Sequence, residues 1–336
     1  MAEERILMAH GSGGKLSHEL ITQCFVGKLD NQWLSRMDDA AVIDNVDKQL
    51  AFTTDSYVVT PLFFPGGDIG KLAVCGTVND LAVSGAVPQY LSLSFILEEG
   101  LLVADLEKAI ESIRSAAQEA NVNIVTGDTK VVPHGKADGM FINTSGIGRI
   151  LPGVNISGAN VSPGDVIIIS GSIGDHGMTI MAQREGLRFD GDLASDCAPL
   201  NELIASMLDV CPQMHCMRDP TRGGVATTLN EIAAQSGVGM VINDKSIPVR
   251  PSVRALCEML GLDPLYVANE GKLLAFAPAE FSERLLRVMH EHKYGRDAAI
   301  IGMVTADNLG QVTLRTELGT SRILAMLSGD ILPRIC

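Results

Sequence analysis

Aspartates recur beside small or apolar residues at four places in the first half of the sequence. The segments are "MDDAAVI" with Asp38 and Asp39, "TTDSYV" with Asp55, "TVNDLAV" with Asn79 and Asp80, and "TGDTK" with Asp128 and Lys130. A single aspartate at a strand end is ordinarily a turn residue or a helix cap. Asn79 and Asp80 differ, because both interrupt an apolar helix-like segment, where a buried carboxylate needs a compensating partner. Oxygen ligands that converge without cysteine or histidine suit magnesium, which bridges carboxylates and substrate phosphates.

The glycine-rich segment "HGSGGK" offers backbone N–H groups to an anion. Gly11, Ser12, Gly13 and Gly14 leave the backbone uncrowded, and Lys15 adds a positive charge. The segment is not a Walker A loop, because Ala9 and Leu16 replace the residues which that loop requires. A phosphate cradle and a plain flexible segment therefore both remain open.

The segment "RDPTRGGVATTLNEIA" predicts a helix start that favours anions. We expect Asp219 to cap this helix and Pro220 to occupy its first position. Gly223 and Gly224 would let a ligand approach, and Arg222 would strengthen the attraction for an anion. A well-capped helix with nothing bound is the alternative.

The sequence ends in "ILPRIC", so that a nucleophilic thiol, Cys336, occupies the last position. Pro333 bars a helix there, and Arg334 places a positive charge near the thiol. The adjacent carboxylate opposes the effect of Arg334 on the thiol pKa, so the direction of the shift stays open. An incidental terminal cysteine is the simpler interpretation of this segment on its own.

Two other segments carry weaker signals. "CPQMHC" contains Cys211, His215 and Cys216, but without a second cysteine pair a zinc site is a weak interpretation, and we expect structural thiols. "GDHG", with Asp175 and His176, indicates a tight turn into a helix.

Length and composition predict a globular chain of two domains. The 336 residues are 46% hydrophobic and 20% charged, which suffices for more than one core. The formal net charge of −14 argues against binding to nucleic acid or to a membrane surface. The start "MAEERILMAH" lacks signal-peptide features, and no apolar stretch approaches the roughly 20 residues of a membrane span. Seven cysteines without a framework spacing suit the reducing cytoplasm.

Strand-like and helix-like segments alternate, which favours an α/β or α+β fold. "QLAFTTDSYVV", "NIVTGDTKVV" and "VIIIS" read as strands, and "IGKLAVCGTVNDLAVSGAVP" reads as a helix closed by Gly85 and Pro88. "DLEKAIESIRSAAQEANV" predicts a surface helix with one apolar face, formed by Leu106, Ile110, Ile113 and Ala117.

A Pro-, Gly- and Asn-rich segment, "LPGVNISGANVSPGD", predicts a domain boundary near residue 155. We therefore expect an N-terminal domain over residues 1–155, a C-terminal domain over 156–323 and a tail over 324–336. An extended tail of this length would reach roughly 40 Å, which would let its thiol visit several places.

In the order of its motifs, the chain resembles the HypE family of hydrogenase maturation proteins. The motifs are "DDAAV", "TTDSYVVTPLFFPGG", "GTVNDLAVSGAVP", "VTGDTKVV", "SGSIGDHG", "RDPTRGGV", "NEGKL" and the final "PRIC". That family belongs to the superfamily of aminoimidazole ribonucleotide synthetase, thiamine-monophosphate kinase and selenophosphate synthetase. The resemblance spans essentially the whole chain. It implies a two-domain PurM-like architecture with an N-terminal ATP-binding domain, a C-terminal α/β domain and a mobile tail. It also implies a homodimer in which N-terminal strands form a shared barrel, with ATP near the dimer interface.

The resemblance implies a carbamoyl dehydratase that acts on its own tail. Cys336 would receive a carbamoyl group from the carbamoyltransferase HypF, and ATP-dependent dehydration would turn the thiocarboxamide into a thiocyanate. The cyano group would pass to iron on the HypC–HypD complex for nickel–iron hydrogenase. The alternatives are a small-molecule kinase or synthetase of the selenophosphate or thiamine-phosphate type, and a scaffold without catalysis. "HGSGGK" lacks the reactive cysteine of selenophosphate synthetases, and the intact aspartate set argues against a scaffold.

The same resemblance implies roles for individual residues. Cys336, Glu270 and Lys130 would be catalytic, with Glu270 of "NEGK" handling protons and Lys130 assisting; an ordinary acid at a helix start is the alternative for Glu270. The implied magnesium ligands are Asp38, Asp39, Asp55, Asp80 and Asp128. The implied ATP-binding residues are Gly11, Ser12, Gly13, Gly14, Lys15, Asn79, Thr129, Arg222, Gly223 and Gly224.

Overall fold

Two mixed β-sheets with flanking helices organise the chain in the computed structural model. The structure describes residues 14–20, 22, 36–39, 41–45, 48–187, 193–316, 318–329 and 335–336. The α/β class predicted from the alternation of segments is confirmed. Before the first sheet, a short helix, α1, spans Lys15–Leu20.

The first sheet is formed by strands from the N-terminal half. They are β1 Ala41–Asn45, β2 Lys48–Tyr57, β5 Ala86–Glu98, β6 Asn123–Val132 and β7 Met140–Ile150, and a separate hairpin pairs β3 Phe63–Phe64 with β4 Gly67–Asp68. The spatial order is β1–β2–β7–β5–β6, in which only the β5–β6 pair is parallel. The predicted strands "QLAFTTDSYVV" and "NIVTGDTKVV" are confirmed as β2 and β6.

Helix α2, Ile69–Val83, packs against the inner face of the first sheet. It begins after Asp68, whose carboxylate accepts hydrogen bonds of 2.7 and 3.1 Å from backbone N–H groups of the first turn. Nearly every side of this helix is buried, because its Ala, Gly and Val residues allow close packing on all sides. The helix predicted from this segment is confirmed.

Helix α3, Val103–Glu119, covers α2 from outside. Leu106, Ile113 and Ala117 pack into the core, as the helical spacing predicts. The prediction is wrong for Ile110, which is 47% exposed, because Ala109 and Ala116 instead complete the buried face.

The second sheet lies in the C-terminal half. Its strands are β8 Asp165–Ile169, β9 Cys216–Arg218, β10 Gly239–Asn243, β11 Leu274–Pro278, β12 Ala299–Thr305, β13 Val312–Arg315 and β14 Ser321–Ile323. The order is β14–β13–β10–β12–β8–β11–β9, in which only β10 and β13 are parallel. β8 contains the apolar residues of the predicted strand "VIIIS" but ends at Ile169, before Ser170, and it is buried at every position.

Helices cover both faces of the second sheet, which explains why β8 is apolar from Val166 to Ile169. The helices of this half are α4 Asp175–Arg184, α5 Asn201–Val210, α6 Gly224–Ser236, α7 Pro251–Leu260 and α8 Ser282–Glu291. Of these, α4 and α7 pack in the core that also includes α2 and α3. α6 packs on one face, and α5 and α8 pack on the other. Short 3₁₀ turns occur at Gly158–Asn160, Asp244–Ser246, Pro264–Tyr266 and Ala279–Phe281.

The outer face of the first sheet lacks such a cover in the described chain. Phe52, Tyr90, Ile96 and Ile147 on this face are each between 40% and 46% exposed. Among the helices that the structure describes, none has the length and apolar character needed to cross a bilayer.

Candidate functional site

Four partly buried aspartates from both halves of the chain lie close together. Asp39 precedes β1, Asp55 lies on β2, Asp80 lies in α2, and Asp219 follows β9. The hydroxyl of Thr53 connects two of these positions, at 2.9 Å from Oδ2 of Asp80 and 3.0 Å from the carbonyl oxygen of Asp39. We call Asp39, Asp55, Asp80 and Asp219 the carboxylate cluster.

Crowding raises the pKa of every carboxyl group in this cluster. Burial is the largest cause for all four groups, and the charges of neighbouring aspartates add to it for Asp39, Asp80 and Asp219. The pKa of Asp39 rises to about 6 and that of Asp219 to about 8, while the pKa of Asp80 lies well above its ordinary value. The ionised cluster therefore repels itself, and a bound divalent cation would relieve that repulsion.

Besides Asp80, which accepts from Thr53, two more cluster members have defined hydrogen-bond partners. Oδ2 of Asp55 accepts from the hydroxyls of Thr77 at 3.0 Å and Tyr57 at 3.3 Å. Oδ1 of Asp39 accepts from Nε of Arg218 at 2.5 Å, which partly offsets the effect of burial on its pKa. Because the hydrogen-bond donors to Asp55 and Asp80 are neutral hydroxyls, the negative charge of the cluster is only partly balanced.

Asp38, the fourth predicted magnesium ligand of this region, has different partners. Its carboxylate accepts from the hydroxyl of Ser157 at 3.1 Å and from Nε2 of Gln235 at 3.0 Å. Both donors belong to the C-terminal half, so Asp38 ties the segment before β1 to that half.

The carboxylate cluster fits magnesium that arrives with nucleotide phosphates. In the described part of the chain, no three histidine, cysteine or acidic side chains form a complete metal site by themselves. Magnesium commonly takes one or two protein carboxylates and completes its coordination with phosphate oxygens and water. The incompletely balanced charge of the cluster is consistent with that mode of binding.

The last two residues of the chain dock beside this cluster. The Ile335 side chain is buried in the core that includes Tyr57 and Val59. Nε2 of His176 donates to the carbonyl oxygen of Ile335 at 2.6 Å, and the backbone N–H of Val58 donates to the carbonyl oxygen of Cys336 at 3.1 Å. β2 thus carries both Asp55 and, just beyond its end, the anchor of the terminal residue.

The thiol of Cys336 lies close enough to the Glu270 carboxyl group for that group to raise its pKa. Burial, followed by the charge of Glu270, raises the pKa of this thiol to about 12, and Arg222 acts against the rise. Asp55 is close enough to raise it further, which connects the thiol to the carboxylate cluster. The sequence left open whether the pKa of the Cys336 thiol is raised or lowered; in the docked tail it is raised.

Glu270 is 4% exposed and lies in the loop before β11, not at a helix start as one interpretation of "NEGK" had it. Its Oε1 atom has no hydrogen-bond partner among the described residues. Burial and the acidic groups around it raise its pKa well above the ordinary glutamate value. A carboxylate of this kind is a stronger base than one in water.

Two buried asparagines hold the Glu270 loop in place. Oδ1 of Asn79 accepts from the Leu200 N–H at 2.8 Å, and its Nδ2 donates to the Ala198 carbonyl at 3.1 Å and the Glu270 carbonyl at 3.5 Å. Nδ2 of Asn269 donates to the Pro220 carbonyl at 2.8 Å. The Asn79 side chain, predicted to bind ATP, is thus engaged with backbone groups in this structure.

The three predicted site residues on β6 lie away from the cluster within one chain. Asp128, Thr129 and Lys130 are exposed at the edge of the first sheet, where Nζ of Lys130 lies 2.9 Å from Oδ2 of Asp128. Asp55 is separated from β6 by three strand spacings, about 14 Å. The structure therefore does not bring these residues to Glu270 in the same chain.

The predicted glycine cradle is described only in part. Gly11, Ser12 and Gly13 lie outside the described residues. Gly14 is buried against Leu327, whose carbonyl oxygen accepts from the Lys15 N–H at 2.9 Å. In this structure the end of the glycine segment approaches the chain's own C-terminal segment.

The helix predicted to begin at Pro220 begins four residues later. α6 starts at Gly224, and its N-cap is Gly223 with φ of 78°, so the prediction that Asp219 caps this helix is wrong. Gly224 also has a positive φ, of 62°, and a Cβ there would overlap backbone atoms of residues 265–267. The glycine pair thus lets the chain's own loop approach the helix start.

The "CPQMHC" segment forms no metal site in the described chain. Nδ1 of His215 lies 2.8 Å from Oδ2 of Asp165. Cys211 and Cys216 are buried, and burial raises the pKa of both thiols. The expectation of structural thiols agrees with this geometry.

Sequence reasoning missed several residues of the site. Asp219 was assigned to a helix cap and His176 to a turn, and Asp196 carried no local signal. The clustering of acidic and basic residues in "RDPTR" is the one signal that pointed to Asp219.

The chain is similar in sequence and in fold to known proteins. Residues 37–150 match the N-terminal domain model of AIR synthase related proteins, and residues 162–315 match the C-terminal domain model. The chain is 56% identical over 329 residues to the carbamoyl dehydratase HypE of Azotobacter vinelandii, covering 98% of this chain and 96% of that protein. A solved HypE in complex with ATP is 53% identical with a TM-score of 0.84, over 99% of this chain and 100% of that one. A HypE–HypF complex gives 49% identity and a TM-score of 0.87, over 92% and 99%.

Proposed function

Because the chain belongs to the AIR synthase related family and, within it, to the HypE carbamoyl dehydratases, we propose that it uses ATP to dehydrate an S-carbamoyl group on Cys336 to a thiocyanate. One observation carries the proposal. The Cys336 thiol docks beside the buried Glu270 carboxyl and within the electrostatic reach of Asp55 of the carboxylate cluster.

The reaction needs an activated oxygen and a base. The thiocarboxamide oxygen attacks the γ-phosphorus of ATP, so that a new oxygen–phosphorus bond forms and ADP leaves. The nitrogen then loses its protons, the carbon–oxygen bond breaks, and inorganic phosphate leaves as the carbon–nitrogen triple bond forms. Thiocarboxamide and ATP therefore give thiocyanate, ADP and phosphate, since phosphate is a far better leaving group than hydroxide.

Glu270 is the proposed base for the nitrogen protons. Its Oε1 atom has no hydrogen-bond partner among the described residues, and its raised pKa favours proton uptake. Arg222 lies close enough to Cys336 to act on its thiol pKa, and its positive charge would balance negative charge that builds up on the group attached to Cys336.

The carboxylate cluster would hold magnesium, which neutralises the ATP phosphates when bound. Asp39, Asp55 and Asp80 were predicted as ligands, and Asp219 joins them because it lies in the same group. Asp38 stays among the proposed ligands through the family resemblance. The same holds for the nucleotide contacts of Gly11, Ser12, Gly13, Gly14, Lys15, Asn79, Arg222, Gly223 and Gly224.

We place Asp128, Thr129 and Lys130 in the active site of a second copy of the chain. Within one chain they lie about 14 Å from Asp55 on an exposed edge strand, too far for a shared role. The exposed apolar face with Phe52 and Ile147 supports a homodimer through the first sheet, which would turn this edge toward the partner.

The proposed partners follow from the chemistry of the carbamoyl group. A HypF carbamoyltransferase would load Cys336, in agreement with the solved HypE–HypF complex, and a HypC–HypD complex would receive the cyano group on its iron. Both steps require the pair Ile335–Cys336 to leave its docked position. We assign the reaction to the cytoplasm, since Cys75, Cys197 and the other described cysteines are unpaired thiols.

Mass spectrometry of the whole chain and of its C-terminal peptide tests the proposal. With HypF and carbamoyl phosphate, the peptide should gain one carbamoyl group, and added magnesium–ATP should then remove the mass of one water. The Cys336→Ala chain should show neither change but should still bind ATP. ATP turnover that depends on a soluble acceptor and ignores Cys336 would instead support a kinase or synthetase.

A further inference from the structure

His176 makes two hydrogen bonds from a fully buried position. Its Nε2 atom lies 2.6 Å from the carbonyl oxygen of Ile335, and its Nδ1 atom lies 2.8 Å from Oγ of Ser195. The roles proposed above belong to the thiol, the base and the nucleotide ligands, and none of them involves this histidine. The contact nevertheless reaches the tail one residue before the reactive sulfur.

The direction of each hydrogen bond follows from the partners. A carbonyl oxygen only accepts, so Nε2 carries the proton and donates to Ile335. Nδ1 is then an acceptor for the Ser195 hydroxyl, whose oxygen in turn accepts from the Cys197 N–H at 3.1 Å. Burial lowers the pKa of His176, which favours the neutral ring that this arrangement requires. Ser195 therefore fixes the tautomer of the ring that holds the tail.

On the basis of the proposed function, we propose that His176 is a positioning residue that sets the register of the docked tail. His176 donates to a backbone carbonyl oxygen, so the contact fixes which residue of the tail lies beside the ring, whatever the side chain of that residue is. The buried Ile335 side chain and the hydrogen bond from the Val58 N–H to Cys336 also hold the tail in place. Together these contacts place the sulfur of residue 336 near Glu270.

A change in the length of the tail tests whether His176 sets its register. One added residue lengthens an extended chain by about 3.5 Å, which exceeds the tolerance of a hydrogen bond to Glu270. A glycine inserted between Ile335 and Cys336 should therefore displace the sulfur while the His176 contact survives. A glycine inserted after Gly329, upstream of the docked pair, should leave the sulfur in place.

The first test measures docking without any reaction. The uncarbamoylated chain is treated with N-ethylmaleimide, and labelling of the Cys336 peptide is followed by mass spectrometry. His176→Leu should speed this labelling about tenfold, because one buried hydrogen bond is lost, and His176→Gln should restore much of the protection. The matched control is His290→Leu, since Nε2 of His290 also contacts a backbone carbonyl, that of Ala298, at 2.9 Å. It should label like the wild type.

The second test measures the single-turnover loss of water from the carbamoylated chain. His176→Leu and the insertion before Cys336 should slow it at least tenfold, while His176→Gln, His290→Leu and the insertion after Gly329 should stay near the wild-type rate. Equal labelling and equal rates in His176→Leu and wild type would overturn the proposal. So would faster labelling with an unchanged rate of water loss. If the wild type loses no water at all, the proposed function fails, and the labelling ratio still decides whether His176 holds the tail.

Discussion

The backbone N–H of Glu270 donates a 3.1 Å hydrogen bond to Oδ1 of Asp196, so a buried carboxylate fixes the loop that carries the proposed base. Asp196 is paired in turn with Nζ of Lys272 at 3.1 Å, and the two side chains are only 3% and 11% exposed. Burial acts to raise the pKa of Asp196, but the charge of Lys272, the hydrogen bond from Lys272 and the hydrogen bond from the Glu270 N–H act against it, and the pKa lies below its ordinary value. The position of Glu270 therefore depends on a buried ion pair.

Replacement of Lys272 should weaken both the fold and the reaction. Lys272→Met leaves Asp196 as an uncompensated buried charge, so the free energy of unfolding should fall by about 3 kcal/mol in urea denaturation. The rate of water loss should fall as well, because the Glu270 loop loses its support. Arg322→Met removes a half-exposed ion pair with Asp263 and should change the stability by less than about 1 kcal/mol. Equal effects of the two variants would contradict the importance of the Asp196–Lys272 pair.

Removal of the proposed base should stop the reaction after carbamoylation. Glu270→Gln keeps the size of the side chain but accepts no proton, so water loss should slow a hundredfold or more, on the order of the usual contribution of a general base. Carbamoylated chain should then accumulate in mass spectra, while ATP binding by calorimetry stays unchanged. Wild-type rates in this variant would assign the proton transfer to another group.

The carboxylate cluster should make the metal-free chain less stable as pH rises. The pKa of Asp219 is near 8 in the folded chain and near 4 when unfolded, so between these values the folded state binds more protons. Its contribution to stability should therefore fall from about pH 4 to about pH 8 and level off above, by at most about 1.4 kcal/mol for each unit of the pKa difference.

Asp219→Asn should flatten this decline, as measured by urea denaturation at several pH values without magnesium. Asp307→Asn, at an exposed aspartate after β12, is the matched control and should reproduce the wild-type profile. Magnesium with ADP should stabilise the wild type more at pH 8 than at pH 5, because the ligands must be deprotonated. A wild-type stability that rises over this range would contradict the interpretation.

The secondary structure of the N-terminal half was predictable because its signals are local. Strand-like alternation in β2 and the small-residue pattern of α2 come from neighbouring residues, and the structure confirms both. The proximity of Asp55 and Asp80 was expected only through the family resemblance, which implied both as magnesium ligands.

The remaining parts of the site depend on contacts between distant segments. Asp219 looked like a cap, but α6 begins at Gly224 because residues 265–267 pack against that glycine. Nothing near His176 indicates that its ring will meet a carbonyl 159 residues away. Burial of Glu270 and docking of the tail arise only once both halves of the chain have folded together.

The outer face of the first sheet should hold two copies together. Ile147→Arg places a charge among exposed apolar side chains and should shift the chain toward the monomer in light scattering. Val103→Arg, at another exposed apolar position, should leave the oligomeric state unchanged.

Mixed dimers test whether Lys130 acts in the partner's site. Lys130→Ala and Glu270→Gln should each abolish most activity alone, whereas a mixture of the two variants should regain part of it, because one composite site keeps both residues. No recovery in mixed dimers would place Lys130 in the site of its own chain.

The central claim is that the thiocarboxamide oxygen of Cys336 is phosphorylated and leaves as phosphate. The most direct measurement follows heavy oxygen placed in the carbonyl position of the carbamoyl group, with mass spectrometry of the inorganic phosphate after one turnover. The account predicts that the heavy oxygen appears in the phosphate in step with thiocyanate formation on Cys336. Its release into water, with unlabelled phosphate, would contradict the account.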